Sequence, residues 1–331
     1  MNKWFALGFA IIAAALLLLL PNKPKTQYFH NQGNIFGTYY NIRYEYTEDL
    51  HGDIKHQLQQ IDASLSMFNK NSVISKINSN EDMTTDSLFE VMYQEAYLVS
   101  KLSQGAFDIT VAPLVNAWGF GTNGKAYNIE QTINIDSIKA FVGYDKVRLE
   151  NHHLYKDNKH ITLDASAIAK GYACDVIANL LRDKGCKNLL VDIGGEVVLQ
   201  GINEKGNAWR VGISKPKKDA TGMEEELQEV IESNGLCMAT SGNYLQYRII
   251  DGKRRSHTID PRSGYPVEHS LLSATIIASS CMRADALATA CMALGEEAAI
   301  NMIEQTSDAA CYLIIADADT LRVSRSSKWE Y

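Results

Sequence analysis

The chain is 331 residues long, with 39 Asp and Glu against 32 Lys and Arg and a formal net charge of −7. That balance argues against a nucleic-acid surface, which needs clustered basic charge. The length suffices to bury a large core as one catalytic unit, with room for two subdomains.

Behind Met1-Asn2-Lys3-Trp4, residues 5–20 form an uncharged apolar run. Residues 1–20 read as a signal peptide or an N-terminal membrane anchor. The run is a little shorter than the roughly 20 residues of a typical spanning helix. Five leucines lead directly into Pro21 with no small-x-small pair before a polar break, which favours an anchor that is kept. Lys3 on one side and Lys23 and Lys25 on the other give no clean orientation. Residues 21–32 read as a polar tether, and residues 33–331 as the folded domain.

Alternation predicts a strand over 39–46, and helices follow at 54–67 and 87–102, the second stopped by Gly105. Residues 155–160 read as a polar turn between two short strands. Apolar residues at 168, 169, 172, 173, 176, 177, 180 and 181 predict a helix over 166–184 that stops at Gly185. Two residues fit that helix poorly. Lys170 falls near its positive N-terminal end, and Gly171 costs roughly 1 kcal/mol relative to Ala in a helix interior. Such violations are expected at functional sites. A helix start carrying unpaired N–H groups and a lysine suits a phosphate or pyrophosphate, the plainer alternative being a surface lysine on an amphipathic helix. A buried strand at 189–193 precedes Gly194-Gly195, and Asn234-Gly235 predicts a hairpin between 227–233 and 236–240. A strand at 247–250 and helices at 282–294 and 296–305 complete the pass. Hairpins mixed with helices indicate an α+β fold, with mixed, largely antiparallel sheets and packed helices. The six cysteines lie inside these apolar patterns without zinc-ligand spacing and read as buried thiols.

Three constellations could carry chemistry. Asp285 and Thr289 are four apart on an Ala-rich helix and share a face, offering hard oxygen ligands of the kind Mg²⁺ takes. Alternatively, Asp285 caps its own helix and Thr289 bonds back to a carbonyl. His257 lies in the turn-rich segment Ser256-His257-Thr258-Ile259-Asp260-Pro261, where it could serve as a general base or simply be exposed. Gly105-Ala106-Phe107-Asp108 and Trp118-Gly119-Phe120-Gly121 give an aromatic, glycine-rich stretch able to stack a planar ring, or to form an ordinary aromatic core.

In order along the chain, seven segments resemble the FAD:protein FMN transferases, the ApbE-type flavin transferase family. They are Phe36-Gly37-Thr38, the run Phe107-Asp108-Ile109-Thr110 continuing to Val115, the run Asp164-Ala165-Ser166-Ala167-Ile168-Ala169-Lys170-Gly171-Tyr172, Asp192-Ile193-Gly194-Gly195-Glu196, Thr240-Ser241-Gly242-Asn243-Tyr244, His257-Thr258-Ile259-Asp260-Pro261 and the run from Ala284 to Ala290. The resemblance runs from about Gly33 to Arg322 and implies an ApbE-like catalytic domain over 33–331. It implies an enzyme that splits FAD, its substrate, with Mg²⁺ or alternatively Mn²⁺, transfers FMN by a phosphoester bond to a threonine hydroxyl of a target protein, and releases AMP. Phe36, Phe68, Ala106, Phe107, Asp108, Asp164, Lys170 and Ile259 would contact FAD. The Ala167 carbonyl, Asp285 and Thr289 would hold the metal. Lys170 would add a second positive contact, and His257 is the expected base. Phe36 and Phe68 stand where the family commonly has Met and Tyr, so stacking survives but a tyrosine hydrogen bond would be lost. The implied targets are membrane redox subunits, such as those of sodium-pumping NADH:quinone oxidoreductase. The implied location is the bacterial inner membrane, held through residues 5–20, with the catalytic domain on the periplasmic side. Two other readings are an FAD pyrophosphatase and a membrane-tethered flavin-binding protein without turnover.

Overall fold

The computed structural model describes residues 25–121, 134–216, 226–243, 247–250, 253–318 and 320–331. The expected anchor and the first part of the expected tether lie outside the described residues. Among the described residues, no helix is long and apolar enough to cross a membrane.

The first elements are strands β1 (Gln27–Ile35) and β2 (Thr38–Tyr46), then helices α1 (His51–Leu65), α2 (Val73–Ser79) and α3 (Ser87–Leu102). Short helices α4 (Ala112–Ala117) and α5 (Ile135–Lys139) lead to a small hairpin, β3 (Val147–Glu150) and β4 (His153–Lys156). Helix α6 (Ala169–Lys184) is followed by β5 (Leu189–Ile193), β6 (Glu196–Gln200), β7 (Trp209–Ser214), β8 (Leu227–Ser233) and β9 (Gly235–Gly242). Short strands β10 (Tyr247–Ile250), β11 (Lys253–Ser256), β12 (Ile259–Asp260) and β13 (Tyr265–Pro266) precede β14 (Leu271–Ala278). Helices α7 (Cys281–Leu294) and α8 (Glu296–Glu304) and strands β15 (Ala309–Asp317) and β16 (Thr320–Arg325) end the chain.

One eight-stranded sheet, in the order β1-β2-β5-β6-β9-β14-β15-β16, organises the fold. Every neighbouring pair in it is antiparallel, so the α+β expectation holds. Side chains alternate across the sheet and feed two cores. On β15, Cys311, Leu313 and Ile315 join the helices' core, while Tyr312 and Ile314 join a second one with Trp209, Ile213 and Ile231 of the separate β7–β8 sheet.

Four local expectations change. Residues 27–32, expected to be tether, belong to β1, whose residues pair with β2 from Gln27 to Ile35. Its polar composition fits its place at the sheet edge, where half of the strand stays wet. The turn expected at 155–160 follows β4 instead; the hairpin closes at Asn151 and His152, both in left-handed backbone with φ of 50° and 59°. Asn234-Gly235 is not a hairpin, since β8 pairs with β7 and β9 pairs with β6 and β14. Neither residue has positive φ, so the pair carries the chain between sheets rather than reversing it. Helix α6 begins three residues later than predicted, because 166–168 form a turn.

Helix α7 is buried over most of its circumference and is apolar there, apart from Asp285. It crosses α6 at Gly171. A Cβ there would lie 2.2 Å from the Cys281 carbonyl oxygen and 2.8 Å from the Asp285 Cβ, so the misfit glycine is what lets the backbones meet. At the crossing each helix caps the other. Asp175 of α6 accepts the N–H groups of Cys281 and Met282 at 2.9 and 2.8 Å, and Asp285 of α7 accepts the Gly171 N–H at 3.0 Å. Replacing Gly by Ala in an isolated helix would stabilise it by about 1 kcal/mol. Here Gly171→Ala is expected to destabilise the fold by about 1–3 kcal/mol through overpacking, a reversal of sign that urea unfolding of the two proteins will read directly.

Candidate active site

Two aspartates shape the loops that bring the site together. Asp108 Oδ1 accepts both the Thr110 N–H and the Thr110 hydroxyl, each at 2.7 Å. Asp164 Oδ1 accepts the Ser166 N–H at 2.8 Å, and the Asp164 N–H donates to the Ile109 carbonyl, clipping the two loops together. Both carboxyls are buried. Burial pushes the Asp108 carboxyl up to about 6 against the pull of its Thr110 bonds. It raises that of Asp164 too, with the Ser166 bonds and Lys170 opposing.

Beside these loops, Lys170 reaches from the first turn of α6. Its ammonium lies 3.3 Å from Glu196 Oε1 and 3.6 Å from Asp285 Oδ2, and donates to the Ser166 carbonyl at 3.4 Å. Glu196 and Asp285 are 3% and 2% exposed. Desolvation works against the charged ammonium, but the two carboxylates prevail and hold Lys170 above its usual range. Burial raises the Glu196 carboxyl even though Lys170 opposes it. Glu196 Oε2 is buried and accepts no hydrogen bond among the described residues.

The capping of α6 by Asp285 has a local consequence. In a regular helix the Gly171 N–H would bond to the carbonyl four residues back, that of Ala167; here it donates to Asp285. The Ala167 carbonyl is thus left without that donor, close to the same carboxylate. Thr289, one turn on from Asp285, has its hydroxyl 3.2 Å from that of Ser241. Neither plain alternative for the pair holds: Ser280 caps α7, and the Thr289 partner lies on β9.

These residues open onto a cleft of about 1290 Å³. Ala106, Phe107, Asp108, Asp164, Ala167 and Lys170 line it, as do His257, Ile259, Asp285 and Thr289. The His257 ring meets Phe120 edge-on at 6.4 Å. Phe68 lines the cleft at its mouth and is 71% exposed, a free aromatic face rather than core. Phe36 is the exception. It sits at the β1–β2 turn with φ of 52°, packed against the main core, and does not line the cleft. The described residues contain no group of three or more His, Cys, Asp or Glu side chains placed to hold a metal. The expected set includes one carboxylate, one hydroxyl and one carbonyl.

The antiparallel sheet and the convergence of six of the seven segments on one cleft agree with comparison to known proteins. Residues 36–313 match the ApbE family. The chain belongs to the ApbE family. Among similar ApbE-type proteins, the FAD:protein FMN transferase of Vibrio cholerae is 35% identical over 313 residues, covering 92% of this chain and 91% of its own. That of Haemophilus influenzae is 35% identical over 335 residues, covering 97% and 95%. Among solved structures, the Vibrio cholerae flavin transferase ApbE superposes with a TM-score of 0.81 at 34% identity, covering 92% of this chain and 98% of that one. The apo flavinyl transferase ApbE of Pseudomonas stutzeri gives 0.80 at 30%, covering 92% and 95%.

Sequence reasoning passed over two residues of this ApbE-type cleft and one, Asp175, at the helix crossing behind it. Glu196 closes the Asp-Ile-Gly-Gly-Glu segment, and a carboxylate opening an otherwise apolar strand was its available signal. Ser241 stands in the Thr-Ser-Gly segment. Asp175 had no signal, because its partners are amides 106 and 107 residues away.

The raised Asp108 carboxyl has a consequence for stability. Its folded value near 6 lies above the unfolded value near 3.8, so the folded state holds the proton more tightly. The stabilisation this provides is full below about pH 4 and is lost as pH rises through 6. Thermal melting of the ligand-free protein between pH 4 and 7 is expected to show this decline, and Asp108→Asn to flatten it.

Proposed function

We propose that this chain transfers FMN from FAD to a threonine hydroxyl of a target protein, in a Mg²⁺-dependent reaction that releases AMP. Its curated relatives named FAD:protein FMN transferase make it an enzyme of that class, one that moves flavin from FAD to a protein. The observation that carries the finer reading is the Lys170, Asp285 and Glu196 cluster beside the released Ala167 carbonyl. An ammonium suits a pyrophosphate, and a buried carboxylate beside a backbone carbonyl released from its helix bond suits a hard cation.

When bound, Mg²⁺ would draw on the Ala167 carbonyl, Asp285 and Thr289, and would supply charge neutralisation at the pyrophosphate. Lys170 adds a second positive contact there, held in its rotamer by two carboxylates and the Ser166 carbonyl. The exposed Phe68 offers apolar surface for the flavin ring, with Phe107 buried in the core behind the loop that lines the cleft. The threonine oxygen forms a bond to the FMN phosphorus, the bond from that phosphorus to the AMP oxygen breaks, and the hydroxyl proton passes to His257. The same reading tethers the enzyme to the bacterial inner membrane through residues 5–20, facing the periplasm. The uncharged run behind a short basic start supports this. Its targets would be membrane redox subunits.

Incubation with FAD, Mg²⁺ and the flavin-accepting domain of such a subunit is expected to add the mass of one FMN to that domain. Asp285→Ala should lower the rate by on the order of 10²-fold or more, and His257→Ala by about 10²–10⁴-fold with FAD still bound and circular dichroism unchanged. Free FMN and AMP with an unmodified domain would assign hydrolysis instead.

A further inference from the structure

The transfer reading requires a segment of a folded protein to reach the cleft, and one element of the cleft wall is built to receive it. Strand β7 pairs with β8 on one side only; among the described residues its other edge makes no strand pairing and no backbone hydrogen bond. Trp209, Arg210, Val211, Gly212 and Ser214 of β7 line the cleft, whereas no residue of β8 does. The unpaired edge is therefore the one turned towards the cleft.

We infer that an extended segment of the acceptor protein docks by adding a third strand to the free edge of β7, which presents its hydroxyl to the cleft; this rests on the proposed transfer to protein. Unpaired strand edges are templates for pairing and are normally blunted by proline, lysine or short length. Over its six residues, Trp-Arg-Val-Gly-Ile-Ser, β7 has no proline, and its one charged side chain, Arg210, is drawn to Glu232 of β8 at 2.9 Å. At about 3.3 Å per residue it offers roughly 20 Å of ladder. The strand is also rigid. Trp209 and Ile213 are buried in the second core with Ile231, and the Trp209 indole N–H donates to the Gln200 carbonyl at 3.0 Å. A fixed ladder costs little to order on binding. Gly212 lacks a side chain because Leu227 of β8 fills that space, where a Cβ would lie 2.5 Å from the Leu227 Cδ2; this packs β8 tightly onto β7. The cleft volume of about 1290 Å³ exceeds the roughly 300–1,000 Å³ usual for one small ligand, which leaves room for a peptide beside FAD. Main-chain pairing of this kind supplies affinity with little demand on the partner's sequence.

Alternate residues of a strand point their N–H groups to opposite sides, so Arg210 and Gly212 fall in one class and Val211 in the other. Arg210→Pro, Val211→Pro and Gly212→Pro are assayed for thermal stability, for KM towards FAD and for KM towards the flavin-accepting domain used above. The class whose N–H faces β8 is expected to lose thermal stability. The class facing the cleft is expected to keep it, with acceptor KM raised tenfold or more and FAD KM within twofold of the unsubstituted enzyme. Stable variants with unchanged acceptor KM overturn the proposal, and an equal rise in FAD KM assigns the edge to FAD instead. If all three variants are unstable, amide exchange of the unsubstituted enzyme decides. Protection of residues 209–214 by the acceptor domain with its threonine replaced by valine supports the docking, and its absence overturns it. An unsubstituted enzyme that cleaves FAD but never modifies the domain overturns the transfer reading itself, a result distinct from failure of the edge alone.

Discussion

The structure depends on one crossing, where α6 and α7 approach so closely that each supplies a carboxylate to the other's first turn. A helix start leaves four N–H groups without intrahelical partners, and α6 has no side-chain cap from its own flanking residue. Asp285 satisfies part of that need for α6 and Asp175 does the same for α7. Neither bond could form if residue 171 carried a side chain, because the Cys281 carbonyl occupies that space. Packing and polar satisfaction are thus one constraint.

The chemistry of the cleft follows from this crossing. Bringing Asp285 to the start of α6 places a buried carboxylate beside Lys170, and Glu196 at the start of β6 supplies a second. A lysine in the first turn of a helix is ordinarily opposed by the macrodipole; here two buried carboxylates outweigh both that field and the cost of desolvation. Diverting the Gly171 amide also leaves the Ala167 carbonyl turned out of the helix ladder. A residue that looks misplaced by helix rules thereby becomes the cation of a site, and the glycine beside it the condition for its assembly.

The sheet divides labour between its faces. One face carries the helices and, through α6 and α7, the charged cluster; the other holds the core into which Trp209 and Ile213 anchor the β7–β8 pair. That second face keeps β7 as a fixed wall of the cleft rather than a loose loop. Loops clipped by Asp108 and Asp164 close the remaining side with hydrogen bonds to main chain, so the wall is held by local polar contacts as well as by apolar burial.

Elements with strong periodicity, such as α3, β5 and most of α6, were legible in the chain, because burial of one face imposes spacing on it. The chain also marked Lys170, Asp285, Thr289 and His257 as residues out of keeping with plain packing, and the ordered segments brought the family with them. Which strands pair was settled by contacts distant in the chain. The Asn-Gly signal at 234–235 was overridden because β8 and β9 each gain more from pairing with other strands, and the edge strand β1 read as tether because a half-wet strand is as polar as a linker. Tertiary structure alone also showed that Phe36 stays on the core side of its turn, and that Glu196 and Asp175 matter. Their partners lie far away in sequence, and a carboxylate's burial and hydrogen bonds are properties of the neighbours that surround it in space.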